Sequence, residues 1–261
     1  MLKRRVCDGV VIRTIGKWLN AGVMERGEIH YPEDGSPQGG VISPLLSNVY
    51  LHEVLDAWFE KEIVCRLSGR AKLIRFADDA VIVFESAADA ARVLKVLPKR
   101  FAKYGLELHP DKTRLVLFRR PPDGGDSGRG PGTFDFLGFR HYWAKSRKGN
   151  WVVKRKTMKQ RLNRAVKRVY EWCRVKRHTP IAEQWRGLRR KLHGHYQYYG
   201  VTFNIRSLCR FDEAVRNAWQ FWLNRRSTQG DMPRARFKRL LKRYPLPQPR
   251  IVHSYACETI T

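Results

Sequence analysis

Nowhere in the 261 residues is there an apolar run long enough to cross a bilayer, nor a charged-then-apolar leader at the N-terminus. Neither a spanning helix nor a secretory signal is read from this sequence. The five cysteines (Cys7, Cys65, Cys173, Cys209 and Cys257) are scattered and form no C-x-x-C pair. That argues against a zinc module and gives no sign of a disulfide framework. A cytoplasmic protein with no membrane partner is the expectation. Acidic residues are scarce, and unevenly so. Up to Tyr142, 22 Lys and Arg stand against 18 Asp and Glu; from Trp143 onward, 30 stand against 6. The formal net charge of +28 points to a polyanionic partner. Many Trp, Tyr and Phe are interleaved with the cations. This suits nucleic acid better than a membrane surface, because bases stack on aromatic rings while phosphates pair with Arg and Lys.

The charge step divides the chain into a nearly neutral part, 1–142, and a strongly basic part, 143–261. In the first part, Val11, Ile15, Trp18 and Leu19 fall on one helical face. A polar stretch from Glu25 to Asp34 reads as a short hairpin. Ser43-Pro44 then opens a helix running to about Phe59, with Leu46, Val49, Val54 and Trp58 on its apolar side. Ser86, with Asp89 three residues later, resembles a capping box for a helix that Gly105 closes and Pro98 interrupts. Leu106–Leu108 and Arg114–Phe118 read as strands, and Phe134–Phe139 starts another. Beyond Trp151 the pattern reads as helical. Its stripes include Met158 to Trp172, Ile181 to Tyr199 and Phe211 to Trp222, and its charged faces include Lys154, Arg155 and Lys156.

The most informative stretch is Leu73-Ile74-Arg75-Phe76-Ala77-Asp78-Asp79-Ala80-Val81-Ile82-Val83-Phe84. Two runs rich in Val, Ile and Phe read as buried strands, and the centre reads as the tight turn joining them. Adjacent carboxylates at such a tip need cations or strong donors nearby. One reading is a Mg²⁺ site for phosphoryl or nucleotidyl transfer, since hard cations take carboxylate oxygens. The plainer reading is a solvated Asp-Asp turn. Upstream, Ser36-Pro37-Gln38-Gly39-Gly40 is a loop whose two glycines let the backbone approach a ligand closely.

Taken in order, these pieces become specific: S-P-Q-G-G before a helix, F-A-D-D in a hairpin, then L-E-L-H-P-D-K-T, F-L-G-F and H-Y-Q-Y-Y-G among basic helices. The succession covers nearly the whole chain and resembles the group II intron-encoded reverse transcriptases with their maturase, or thumb, region. Phe76 stands where that family usually has Tyr. The resemblance implies an α+β fold: a partial polymerase palm, with a small antiparallel sheet backed by helices, followed by an all-α thumb/maturase bundle. It implies an RNA-directed DNA polymerase using two Mg²⁺ held by Asp78 and Asp79. Gln38, Gly39 and Gly40, together with Phe76 and Ala77, would lie at the incoming deoxynucleoside triphosphate, and Gly138 near the primer. Lys112 would protonate or neutralise the departing pyrophosphate, unless it is a solvated turn lysine. Lys154, Arg155, Lys156, Arg189, Arg190 and Lys191 are the candidate contacts to intron RNA. An RNA template, a DNA primer and the intron RNA are the expected partners.

The family also takes an acidic metal ligand from an earlier block, on a strand that should precede Val11. Asp8 leads directly into a helix with no apolar strand before it, so one ligand and the first blocks are expected to be missing. A truncated enzyme follows, with a separate N-terminal polypeptide as a possible partner. The alternatives are a non-catalytic module that binds intron RNA, an inactive remnant of a mobile intron, or another reverse transcriptase class such as a retron enzyme. The maturase-like segment and the P-Q-G-G-V-I-S-P-L-L wording stand against the last.

Overall fold

The structure is a computed structural model that describes residues 1–4, 6–20, 23–25, 28–30, 42–122, 132–227 and 231–254. The fold is α+β, as expected, and it divides into two compact units, 1–115 and 116–261. The charge step at Tyr142 falls within a strand of the second unit.

The first unit begins with helix α1 (Gly9–Leu19). Asp8 caps it, its carboxylate accepting from the Val10 and Val11 N–H groups at 2.7 and 3.2 Å. Asp8 is thus committed to the orphan donors of a helix start. Short strands β1 (Val23–Glu25) and β2 (Glu28–His30) pair antiparallel. Helix α2 (Ser43–Leu51) has Pro44 in its first turn and runs past the expected end at Phe59. It continues through π-helical turns at His52–Asp56 and Phe59–Ile63 into a 3-10 turn at Val64–Arg66. Strands β3 (Ala71–Phe76) and β4 (Asp79–Phe84) form the Asp-Asp hairpin, with Ala71 opposite Phe84 and Phe76 opposite Asp79. Helix α3 (Ala87–Ala102) follows, capped by Ser86, whose side chain accepts from the Asp89 N–H. It ends in a Schellman-type closure, with Gly105 at φ +64° and the Leu106 N–H donating to the Phe101 carbonyl. Pro98 lies inside α3 without ending it.

The core of this unit joins Leu55, Trp58, Phe59 and Ile63 to Val93 and Phe101, with Leu73, Ile82 and Phe84 of the hairpin packed against them. Here the hairpin departs from expectation. Only the Ala71, Leu73, Arg75, Ile82 and Phe84 face turns to the core, while Ile74, Phe76 and Val83 are exposed. The continuous apolar run hides a two-faced ribbon. Leu106–Leu108 and Arg114–Phe118, expected as strands, are in no strand ladder among the described residues.

The second unit opens with an antiparallel sheet of β5 (Phe134–Phe136), β6 (Phe139–Lys145) and β7 (Trp151–Thr157). The expected helix over 151–157 is therefore a strand: its residues pair with β6 from Phe139–Thr157 to Lys145–Trp151. Helices α4 (Lys159–Lys176), α5 (Ile181–Tyr199), α6 (Ile205–Asn224) and α7 (Arg234–Arg243) complete the unit. The three stripes read from the sequence supply much of the core, which includes Val169, Leu188, Leu192, Tyr196, Phe211 and Val215. Leu208, Trp219 and Leu223 extend it beyond the expected α6 face. Buried polar groups are tied in. Asn204 accepts from the Thr157 N–H and donates to the Tyr199 carbonyl, both at 2.8 Å. Gln184 accepts from the Trp219 indole at 3.0 Å and donates to the Thr179 carbonyl at 2.8 Å. No described helix is long and apolar enough to cross a membrane.

His195 stacks on Phe211 with ring centroids 3.7 Å apart, and burial pushes its imidazole down to about 4. The folded protein keeps this ring neutral while the unfolded chain takes up a proton below about pH 6.5. Stability from this group is therefore full above pH 6.5 and lost as pH falls toward 4, by about 3 kcal/mol in all. Denaturant titrations from pH 7 to 4 should record that loss in the wild type, and His195→Phe should flatten the limb. An unchanged limb in the variant would assign the acid sensitivity elsewhere.

Candidate active site and nucleic-acid interface

Ala77 and Asp78 form the two-residue connection between β3 and β4, since Phe76 pairs with Asp79 on either side of them. Ala77 has φ +53°, a left-handed conformation that side-chain-bearing residues adopt at a cost. Asp78 and Asp79 are both exposed at this tip, beside the 65 % exposed Phe76. Inside the hairpin, Arg75 reaches back to α2 and its continuation. Its Nε and Nη2 donate to the two Asp56 carboxylate oxygens at 2.7 and 2.6 Å. Its Nη1 donates to Asn48 Oδ1 at 2.9 Å and to the Ala77 carbonyl at 2.7 Å. Burial works to raise the Asp56 pKa, but the bonds and charge of Arg75, with His52 Nδ1 at 3.3 Å behind it, outweigh burial and hold the carboxyl below its ordinary value.

Asp78, Asp79, Arg75 and Lys112 line one cleft of about 1810 Å³ in the first unit, together with apolar residues of α1, α2 and α3. Lys112 lies in the turn after Leu108, whose backbone closes through Lys112 and Thr113 N–H bonds to the His109 carbonyl. Gln38, Gly39 and Gly40 lie outside the described residues. Two adjacent carboxylates are hard oxygen donors and fit Mg²⁺, which keeps several waters and substrate oxygens around few protein ligands. Among the described residues, no cluster of three His, Cys, Asp or Glu suited to a metal is present.

In the second unit, Leu137 and Gly138 connect β5 to β6 with φ +49° and +77°. Two positive φ values in succession define the tight hairpin turn that favours glycine. A Cβ on Gly138 would also lie 3.1 Å from the Tyr199 hydroxyl. The Tyr198 hydroxyl donates to the Leu137 carbonyl at 3.0 Å, and Phe139 stacks on Tyr198. The F-L-G-F and H-Y-Q-Y-Y-G segments, read separately in the sequence, are therefore packed together.

Arg189, Arg190 and Lys191 line a groove of about 1160 Å³ with Lys176, Arg186 and Trp172. Lys191 lies 5.3 Å over the Trp172 ring and Arg189 5.6 Å over Trp185. The other three candidate cations are not on this groove. Strand alternation puts Lys154 and Lys156 on one face of β7, Lys156 5.0 Å over Tyr142 and Lys154 5.4 Å over Phe203. Arg155 turns to the opposite face with His141, and its charge adds to burial in holding that imidazole below its ordinary pKa.

A family model for reverse transcriptase (RNA-dependent DNA polymerase) matches residues 2–141, more than half of the chain. The chain belongs to the reverse transcriptases. This reverse transcriptase is 41% identical over 54 residues to the group II intron-encoded protein LtrA of Lactococcus lactis subsp. cremoris, covering 21% of the chain and 9% of LtrA. It is 28% identical over 181 residues to protein YkfC of Escherichia coli K12, covering 58% of the chain and 44% of YkfC. It is 40% identical over 60 residues to an uncharacterized 91 kDa protein in a cob intron of Schizosaccharomyces pombe, covering 23% of the chain and 7% of that protein. The chain spans less than half the length of each of these relatives. Sequence reasoning missed Arg75, Asp56 and Asn48 at this site; the one visible signal was a lone arginine inside an apolar strand.

Ala77→Gly removes the side chain from a left-handed position and should stabilise the first unit by about 1 kcal/mol. Equilibrium denaturation is the check, and an unchanged or lowered midpoint would mean that any strain in the turn is no larger than the backbone entropy glycine adds to the unfolded chain.

Proposed function

We propose that this chain is the palm and basic helical part of a group II intron-encoded reverse transcriptase/maturase, a cytoplasmic RNA-directed DNA polymerase that also binds intron RNA and assists its splicing. The observation that carries this is the Asp78–Asp79 turn on the wall of a cleft that also holds Lys112, within the region matched by the reverse transcriptase family. Asp78 and Asp79 are the residues that would hold Mg²⁺. Bound there, Mg²⁺ supplies charge neutralisation for nucleotidyl transfer from a deoxynucleoside triphosphate to the primer 3′-hydroxyl. Lys112 contributes a point cation to the triphosphate and a proton to departing pyrophosphate. Gln38, Gly39 and Gly40 bound the nucleotide on the loop side, Phe76 and Ala77 on the hairpin side. Gly138 lets the turn backbone approach the primer.

The basic unit binds intron RNA. From Val116 to Thr261, 34 Lys and Arg stand against 9 Asp and Glu, so phosphate contacts dominate and affinity falls steeply with salt. A second reading, RNA binding without catalysis, is favoured by the two carboxylates, Asp78 and Asp79, that are the acids at the turn among the described residues. A polymerase site with two protein carboxylates grips its ions weakly, because each further ligand adds charge and fixes geometry. A separate polypeptide supplying another acidic ligand would complete it.

Filter binding of the full chain to a structured RNA across a salt series tests the first claim. Replacing Arg189, Arg190 and Lys191 together with Ala should shallow the log–log salt slope by about 2–3, at about 0.7–0.9 per lost phosphate contact in single-stranded and double-helical segments. A slope unaltered by the triple change would remove the α5 groove from the interface. Primer extension on an RNA template with Mg²⁺ tests the second claim. The 261-residue chain by itself is expected to stay at the level of its Asp78→Ala variant. Robust synthesis abolished by that substitution would establish that two carboxylates suffice or that another ligand is present.

A further inference from the structure

Arg75 is unusual for a strand residue on a core-facing side: its side chain is 12 % exposed and its guanidinium makes four hydrogen bonds to three residues. Two bonds form a fork-to-fork pair with Asp56, the strongest geometry available to a carboxylate. That pair alone would fix the arginine to the helix. The remaining nitrogen, Nη1, does something different. It bridges Asn48 on α2 to the carbonyl of Ala77, the residue at φ +53° immediately before Asp78.

The helix is shaped to permit this. Asn48 and Asp56 are eight residues apart, which on an uninterrupted α-helix puts them about 80° out of register around the axis. The intervening His52–Asp56 turn is π-helical, closed by the Ala57 N–H on the His52 carbonyl. A π turn winds less per residue and so brings Asp56 back toward the side that presents Asn48. Both acceptors then meet one guanidinium.

We infer that Arg75, gripped by Asp56 and Asn48, is a positioning residue that sets the direction of the Asp78 and Asp79 carboxylates for a divalent ion. The Ala77 carbonyl and the Asp78 N–H belong to one rigid peptide plane, so holding that oxygen holds the Asp78 N and Cα in place and leaves only rotation about the N–Cα bond between the plane and the Asp78 side chain. Without the bond, the plane sits at the tip of a two-residue turn that no third strand flanks among the described residues. The inference rests on the reading of Asp78 and Asp79 as metal ligands, and it adds the residues that aim them.

The sign of one measurement separates positioning from simple charge. Arg75 is a cation near the ion, so if it acts through charge alone, removing it relieves repulsion and tightens divalent binding. If it positions the ligands, removing it weakens binding. The probe is Mn²⁺, titrated into the full chain and followed by electron paramagnetic resonance of the free ion. The difference between wild type and Asp78→Asn defines binding at the turn. Amide hydrogen exchange over residues 77–80 is read alongside.

Arg75→Gln is expected to weaken turn-dependent Mn²⁺ binding about tenfold, the usual scale for a lost partner of a ligand, and to speed exchange at 77–80. Arg75→Lys keeps the charge but not the fork, and should behave like Arg75→Gln; it also decides the matter if Arg75→Gln does not fold. Asp56→Asn, which leaves Arg75 in place, should weaken binding in the same direction. Equal or tighter Mn²⁺ binding by Arg75→Lys, or by a folded Arg75→Gln, overturns the inference while leaving the metal site standing. Wild-type binding indifferent to Asp78→Asn overturns the metal reading itself, and the positioning role with it.

Discussion

Two strands alone are marginal as a sheet in water, yet the Asp78–Asp79 turn sits at the tip of such a pair. What steadies it is contact on one face and hydrogen bonds at both ends. Leu73, Ile82 and Phe84 press on Phe59 and its neighbours, with Phe84 edge-on to Phe59 at 6.3 Å. At the open end, buried Asp89 accepts from the Ser68 and Gly69 N–H groups, each at 3.0 Å, and pairs with Arg92, while the Glu85 carboxylate accepts from the Arg70 N–H. At the closed end, Arg75 takes the Ala77 carbonyl. On the outer face Ile74, Phe76 and Val83 remain exposed.

The second unit solves a different problem. Its cations repel one another, and few carboxylates are at hand to offset them. Aromatic rings take up part of that role: Lys145 lies over Trp151, Lys154 over Phe203, Lys156 over Tyr142, Lys191 over Trp172 and Arg225 over Phe221. Each such contact is worth about 0.5–1 kcal/mol at an exposed site. Unlike an ion pair, it leaves the positive charge uncancelled, so the surface stays attractive to phosphate. Some of the few acids form internal ties, as when Asp212 accepts from the Tyr196 hydroxyl and from Arg216.

The sequence revealed what is local and periodic. The Val/Ile/Phe runs around Ala77-Asp78-Asp79 announced the hairpin, the Ser86 cap announced α3, and stripes such as Ile181 to Tyr199 announced the helical core. It did not reveal which side of the hairpin is bare, because Ile74 and Val83 are as apolar as the residues they alternate with. Trp151–Thr157 was misread because Lys-Arg-Lys masks its alternation and its partner β6 is fixed by long-range pairing. Leu106–Leu108 erred the other way, alternating like a strand while its first N–H closes helix α3 on the Phe101 carbonyl. The Arg75–Asp56 pair spans nineteen positions and leaves no periodic trace. Chemistry that depends on one side chain reaching across to another element is invisible to windows of local pattern.

Helix α5 bears Arg189, Arg190 and Lys191 partway along its length, and Tyr198 and Tyr199 at its end, against the Leu137–Gly138 turn. From Arg190 to Tyr199 is about 13 Å of α-helix, a span with no proline to let it bend. The helix is continuous over this span, so the cations and the tyrosines that hold the Leu137–Gly138 turn are carried on one element, a fixed number of helical turns apart.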